Sequence, residues 1–361
     1  MKKMTKALAI ITGIGILTSP VCTALQQFSQ ATGLPFFIPL GILCILFLIT
    51  PRISGVHSNG IQVEIWERDI IGNLFKNNDF LLQAYNADQY VLQGKVVHIP
   101  QAGGLQNVVV NRNQLPASVT QRTDIDITYA LNEYTSDPFL ISNAETVELS
   151  YDKRMSLMTE TIQALRQTVA DTILISWAPG NAFQILRTSG GPNAKTAPAY
   201  TSGATGPRKT LSVLDVIAAQ AAMDSQDIPD DDRYALLDAQ MYSQLLAELS
   251  QTQYRDFASG QDLARGIIGE MYGFKFYKRS SVLTYDNTII PKGYGAAGAA
   301  ADNAASLFWQ KNSLERALGE VKMFERMNDP QYYGDVYSVL LRMGGRVRRN
   351  DGKGVVALVQ Q

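Results

Sequence analysis

The sequence predicts an α+β chain in which an extended β projection and a long helix precede a mixed α/β lobe. Three observations carry that expectation. Val119–Leu131 alternates apolar and polar residues at period two, the mark of a half-buried strand. Met155, Met158, Ile162, Leu165, Val169 and Ile173 recur at spacings of three and four, drawing one apolar stripe down a helix. A Gly/Pro/Ser/Thr-rich stretch at 188–209 then separates these from a region of shorter alternating patterns.

Composition narrows the chemistry. At 361 residues and 46% hydrophobic content the chain is able to bury a sizeable core. Lys and Arg number 32 against 33 Asp and Glu, so no basic excess advertises nucleic acid. The two cysteines, Cys22 and Cys44, lie near the N-terminus, and the histidines are His57 and His98. A disulfide scaffold or a Cys/His metal centre in the body is therefore excluded. No Ser/His/Asp, HExxH, Walker or Rossmann pattern is complete, and neither a catalytic centre nor a cofactor or metal site is expected.

Residues 1–55 differ from the rest. No charged residue occurs from Ala7 to Pro51, and two apolar runs, Ala7–Leu17 and Leu34–Thr50, stand out. Lys2, Lys3 and Lys6 before them and Arg52 after them fit a membrane hairpin with both ends cytoplasmic. A secretory leader and a segment removed from the working protein are the other readings.

From Val56 the elements follow in order. Ile65–Phe75 is read as a short amphipathic helix, either on the surface or as an arm docked on a neighbouring subunit. Lys95–Ile99 and Asn107–Asn111 are read as strands around a turn at 101–104, leading into the long strand. On that strand Arg122, Asp124, Asp126 and Thr128 face away from the apolar side. Asp124 and Asp126 lack any accompanying His, Cys or metal-loop pattern, which favours a solvated or intersubunit polar face. The helix over Tyr151–Ile175 measures about 37 Å and is ended by Pro179-Gly180. Phe183–Arg187 is a strand. Gly203–Thr210 mimics a phosphate loop, but its spacing is wrong and Pro207 removes an N–H, so a mobile linker between two lobes is expected.

The second lobe opens with a helix at Leu211–Met223 and an acidic turn at 228–233. A strand at Tyr234–Leu237 and a helix near Ala239–Ser250 follow. Met271–Tyr277 is read as a strand centred on Gly273, and Pro291–Ala301 as a flexible Gly/Ala stretch. Leu307–Met327 is expected to be helical from Leu307, Leu314, Leu318, Val321 and Phe324. Val336–Arg342 and Val355–Val359 are closing strands around Gly344-Gly345. Arg342, Arg346, Arg348, Arg349 and Lys353 form a basic cluster, either a charged strand face or a contact for nucleic acid or an acidic neighbour.

The order of the pieces resembles a family. The stretches that carry it are RYALLDAQMYSQLL at Arg233–Leu246, GIIGEMYGFKFYKRSSVL at Gly266–Leu283, ASLFWQKNSLERA at Ala305–Ala317, and Gly334–Val359 as a final hairpin. Together they are similar to the major capsid proteins of tailed bacteriophages, the HK-ninety-seven-type fold shared with encapsulins. The resemblance implies an N-arm at 56–90, an extended β loop at 91–143, a peripheral domain with a spine helix at 144–209 and 330–361, and an axial domain at 210–329. It implies self-assembly through pentamers and hexamers into an icosahedral shell around phage DNA. Trp66, Arg68, Arg122, Asp124, Asp126 and Arg154 would make intersubunit contacts, and Arg346, Arg348 and Arg349 would face DNA or a neighbour. Portal and scaffold proteins would be partners, with packaged DNA touched non-specifically. The protein would reside in the virion capsid after assembly in the host cytoplasm. The uncharged N-terminus departs from the charged, helical scaffolding segment many members carry, which leaves membrane contact through residues 7–51 open. An encapsulin-like cargo compartment and a membrane-anchored, partner-binding α/β protein are the alternatives.

Overall fold

A strand buried on both faces needs apolar side chains at every position rather than at alternate ones. Three segments of this chain meet that demand, and they form the centre of the molecule. The computed structural model describes residues 70, 78–92, 96–101, 109–113, 116, 125–142 and 153–361. The expected membrane runs, the Ile65–Phe75 helix apart from Ile70, and the expected 101–104 turn apart from Gln101 lie outside them.

In chain order the strands begin with β1 (Tyr85–Asn86), β2 (Val91–Leu92), β3 (Val96–Gln101), β4 (Ile125–Ala130), β5 (Asn132–Thr135) and β6 (Phe139–Ser142). Helix α1 (Lys153–Trp177), β7 (Ile185–Arg187), β8 (Thr196–Pro198), β9 (Pro207–Lys209) and α2 (Val213–Asp224) follow. Next come β10 (Arg233–Asp238), α3 (Ala239–Glu248), α4 (Gln251–Ser259), β11 (Gly269–Met271), β12 (Phe274–Arg279) and β13 (Leu283–Tyr285). The chain closes with β14 (Asn303–Gln310), β15 (Leu314–Asp329), β16 (Gly334–Val347) and β17 (Val355–Val359).

The central sheet runs β11-β12-β10-β14-β17-β7, with β13 also paired to β14. All of β10, β14 and β17 is buried. Alternate residues point to opposite layers. Tyr234, Leu236, Leu307, Trp309 and Ala357 pack with α1, through Val169, Ile173 and Trp177 among others. Ala235, Leu237, Phe308, Val356 and Leu358 pack with Val216 and Met223 of α2, Met241 of α3 and Phe257 of α4. The layering is therefore helix, sheet, helices.

A second sheet, β1-β15-β16-β5 with β6 also on β16, lies on the α1 side. It is dominated by the long antiparallel β15–β16 hairpin, and Val339, Leu341 and Met343 of β16 pack with α1. A three-stranded sheet, β2-β3-β4, continues into it through Leu131, where the chain leaves β4 and enters β5.

Several expectations change. Residues 307–327 are not helical: they are the end of β14, a short 3-10 turn at Lys311–Ser313, and most of β15. Local propensity in LERALGEVKM favours helix, but β15 gains a continuous antiparallel partner in β16, and pairing overrides propensity. A register shift between Leu318 and Val321 places Gly319 in an irregularity of that strand. Met271–Tyr277 is a hairpin rather than one strand: Tyr272 and Gly273 both have positive φ, and Met271 pairs with Phe274 across the two-residue turn. The closing hairpin is not one either. β16 pairs with β15 whereas β17 joins β14 and β7, and the left-handed Gly352 and Gly354 lie between them. Asn111 sits in a turn with φ of 50°, which ends the expected 107–111 strand. The expected linker at 188–209 is a β8–β9 hairpin pinned by Arg208, whose Nε donates to Asn303 Oδ1 at 2.6 Å. Helix α4, absent from the sequence reading, begins at a Ser250/Gln253 capping box. In the 291–301 coil Lys292 Nζ donates to Ala297 O at 2.6 Å and Asp302 Oδ2 at 2.7 Å.

The expected α1 stripe is buried at Met158, Ile162, Leu165, Val169 and Ile173. The last two turns also bury Ala170, Leu174 and Trp177, because there the helix is gripped from two sides. Trp177 Nε1 donates to Glu315 O at 3.0 Å, and its ring lies 6.2 Å from Trp309 and 6.3 Å from Phe80. Gly345 of β16 makes room for this contact: a Cβ there would sit 2.7 Å from Trp177 Nε1 and 2.8 Å from Glu315 O. At Gly344 a Cβ would meet the mobile end of Leu131, Cδ2, at 2.9 Å. Gly345→Ala is therefore expected to cost about 1–3 kcal/mol. Gly344→Ala is expected to cost less, and Trp177→Ala about 3–5 kcal/mol. Denaturant unfolding of the unassembled chain checks that order.

Candidate assembly surfaces

The site of interest is the junction at which the small β2–β4 sheet is fastened to the β15–β16 hairpin. β1 runs parallel to β15, with Tyr85 opposite Glu315 and Asn86 opposite Arg316. Ala87 N donates to Arg316 O at 2.8 Å, and Leu318 N donates to Asp88 Oδ1 at 2.6 Å. Ala87, Val97, Ile99, Leu131 and Ala317 form a core cluster there, backed by Tyr129. The fastening is thus made of a few apolar side chains and backbone hydrogen bonds. The next turn outward, at 109–113, is exposed.

The residues proposed from the sequence are distributed as follows. Trp66, Arg68, Arg122 and Asp124 lie outside the described residues. Asp126 is on β4, its backbone opposite Pro100 of β3, and Arg154 is in the first turn of α1. Arg346 is on β16 opposite Glu315, with Nε donating to Val347 O at 3.1 Å. The Arg348 guanidinium stacks 4.1 Å from the Tyr85 ring centroid, beside the junction. Arg349 forms a two-pronged pair with Asp351, at 2.9 and 2.7 Å. Arg342 bridges Glu133 and Glu320, at 2.9 and 3.1 Å. Three of the five cationic residues in the cluster thus have intrachain acidic or aromatic partners, and they tie β16 to β5, β15 and β1.

Sequence reasoning missed Glu315, Trp177 and the role of Gly345. No short motif marks them, since their meaning comes from partners more than a hundred residues away. A cleft of about 280 Å³ beside α1 is also new. Its charges are paired internally, Arg279 with Asp171 at 2.5 Å and Lys292 with Asp302 at 2.7 Å. Among the described residues no group of three or more His, Cys, Asp or Glu side chains gathers as a metal set. No helix among them is long and apolar enough to cross a membrane.

Glu315 is the unusual group. It is fully buried, and neither carboxylate oxygen has a hydrogen-bond partner among the described residues. Burial pushes its carboxyl up to about 7; the charges of Arg348 and Arg346 and the neighbouring Tyr129 hydroxyl offset this in part. The unfolded chain releases the proton near the ordinary 4.5. Between those values the folded state binds more protons, so this group makes stability fall as pH rises through the window. Glu315→Gln is expected to stabilise the unassembled subunit at pH 8 by up to about 3 kcal/mol and to do little at pH 4.5. Denaturant midpoints at the two pH values check this; an equal gain at both would assign the titration elsewhere.

Comparison with known proteins places this architecture. A family model described as phage capsid protein matches residues 71–359. The capsid structure of the cyanophage P-SCSP1u is similar at TM-score 0.52 and 18% identity, covering 76% of this chain and 86% of that one. The capsid of Ralstonia phage GP4 gives 0.55 and 12%, covering 77% and 86%. The capsid of a native GTA particle gives 0.53 and 11%, covering 79% and 90%. At these identities the likeness is one of fold, the HK-ninety-seven type. No curated protein matches the chain. The family match runs from just after Ile70 through β17 and takes in the junction, both larger sheets and all four helices described, so this chain belongs to the phage capsid protein family and is a major capsid protein of the virion shell.

Proposed function

We propose that copies of this chain associate as pentamers and hexamers that tile an icosahedral shell around packaged phage DNA. The observation that carries this reading is the β2–β4 projection. Its core is confined to the junction, and Val110 beyond it is 82% exposed. A strand pair with so little core is marginal alone and gains stability by lying on a neighbour. The β2–β4 projection then serves as the extended loop, and α1 with the β15–β16 sheet as the peripheral domain. The central sheet with α2, α3 and α4 serves as the axial domain; its last strand, β17, brings the C-terminal residues into it.

In this scheme Asp126 and Arg154 join Trp66, Arg68, Arg122 and Asp124 as intersubunit contacts. The pairing of Arg349 and the stacking of Arg348 favour a role in holding the junction, with DNA met through non-specific phosphate contacts. Assembly takes place in the host cytoplasm with portal and scaffold proteins as partners, and residues 7–51 supply any membrane contact. Expression of the full chain, followed by sedimentation and negative-stain imaging, tests the scheme. Closed shells or five- and six-fold rings are expected. A monomer that persists when portal and scaffold genes are co-expressed would overturn it.

A further inference from the structure

The two ends of the central sheet carry complementary surfaces. β7 is its last strand on one side, and α2 packs on β7 and β17 there. β11 is the last strand on the other side, and α4 packs on it. At the β7 end Phe183 is 92% exposed. Helix α2 adds Leu214, Ile217, Ala218 and Ala221, all exposed and at spacings of three, one and three. That stripe lies on the side of the helix opposite its buried Val216, Ala219 and Met223. A helix with one face on a core ordinarily turns polar residues to water. This one is apolar on both faces, which marks the outer face as a contact surface.

Charge distinguishes the two ends. The segment 224–232, which follows α2, holds five aspartates and no Lys or Arg. Buried Arg233 engages Asp224 and Asp230, leaving Asp227 and Asp231 on the surface. At the β11 end Leu263 is 77% exposed, and Tyr254 and Tyr272 are exposed as well. Arg255 and Arg265 are among the most exposed cations described, at 82% and 76%, each with only a long surface contact to a near neighbour in sequence.

We propose that the β7 end of one copy, through Phe183 and the α2 stripe, docks on the β11 end of a second copy, through Tyr254, Leu263, Arg255 and Arg265. The contact rests on the capsid reading and deepens it. It is head-to-tail, because the surfaces differ and lie at opposite ends of one sheet. A head-to-tail contact does not stop at a pair; with a suitable rotation it closes into a ring. Apolar side chains supply the affinity, and the acidic-to-basic match sets direction and rejects the reversed pairing.

Two surface variants of the full chain test the inference: Phe183→Ser with Leu214→Gln, and Arg255→Glu with Arg265→Glu. Each is expected to lower the yield of rings or shells at least tenfold relative to wild type. Circular dichroism and thermal melting of the unassembled chain should stay unchanged. Wild-type yield reports on the capsid reading itself, and the ratio of variant to wild type reports on this contact. Both variants assembling at wild-type yield would overturn the contact and leave the capsid reading standing. Hydrogen exchange on wild-type particles and dissociated subunits gives a second readout that no misfolded variant can confuse. Peptides covering 213–224 and 251–265 should gain protection together on assembly, and unchanged exchange in both would also overturn the contact.

Discussion

The indole of Trp177 joins the two larger sheets. It ends α1, is wholly buried, and donates its N–H to the carbonyl of Glu315 on β15. On its other side it meets Trp309 of the central sheet, which in turn lies 6.0 Å from Tyr234. Trp309 donates its own N–H to Gln83 O, so the segment before β1 is drawn to the same point. Two large apolar rings with satisfied N–H groups therefore connect the helix, both sheets and the arm. Only glycine at 345 lets β16 pass close enough for this arrangement. If the rings were lost, α1 would keep its stripe but the two sheets would lose their shared contact.

The central sheet and the projection obey opposite economies. In the first, every residue of β10, β14 and β17 is buried, helices cover both faces, and the lobe contains its own core. In the second, a handful of side chains at Leu131 and Ala317 hold three short strands, and nothing described covers their outer end. A shell subunit needs both kinds of region: one rigid enough to define geometry, and one that becomes stable only when a neighbour is present. The buried, unpartnered Glu315 carboxylate sits where the two meet. Its cost is tolerated because the surrounding packing is held by other groups, chiefly Trp177 and the β15–β16 ladder.

Legibility followed the range of the interactions. The α1 stripe, β10, α2 and α3 could be read because their patterns are local, repeated and bounded by caps or by Pro and Gly. Ser250 and Gln253 also spelled out a helix start that the sequence reading passed over. Tyr272-Gly273 was legible in principle as a two-residue turn. By contrast, Leu314–Met323 has helix-forming residues and becomes a strand only because β16 lies beside it. The Arg342–Arg349 cluster looked like a basic surface in one dimension. In space Arg342 and Arg349 meet carboxylates, and Arg348 meets a tyrosine.

By itself, the sequence determined the order of the elements, the long helix with its buried stripe, the short-patterned second lobe, and the absence of a familiar catalytic signature. It also determined the resemblance, since that depends on order. Tertiary structure decided which strands share a sheet, why Gly345 must be glycine, and that Glu315 is buried among cations. It decided as well that α2 presents a second apolar face at one end of the sheet, opposite a basic and aromatic end. The physical reason is the same throughout. Periodicity and capping act over a few residues, whereas pairing, burial and charge neutralisation join residues far apart in the chain and exist only after it has folded.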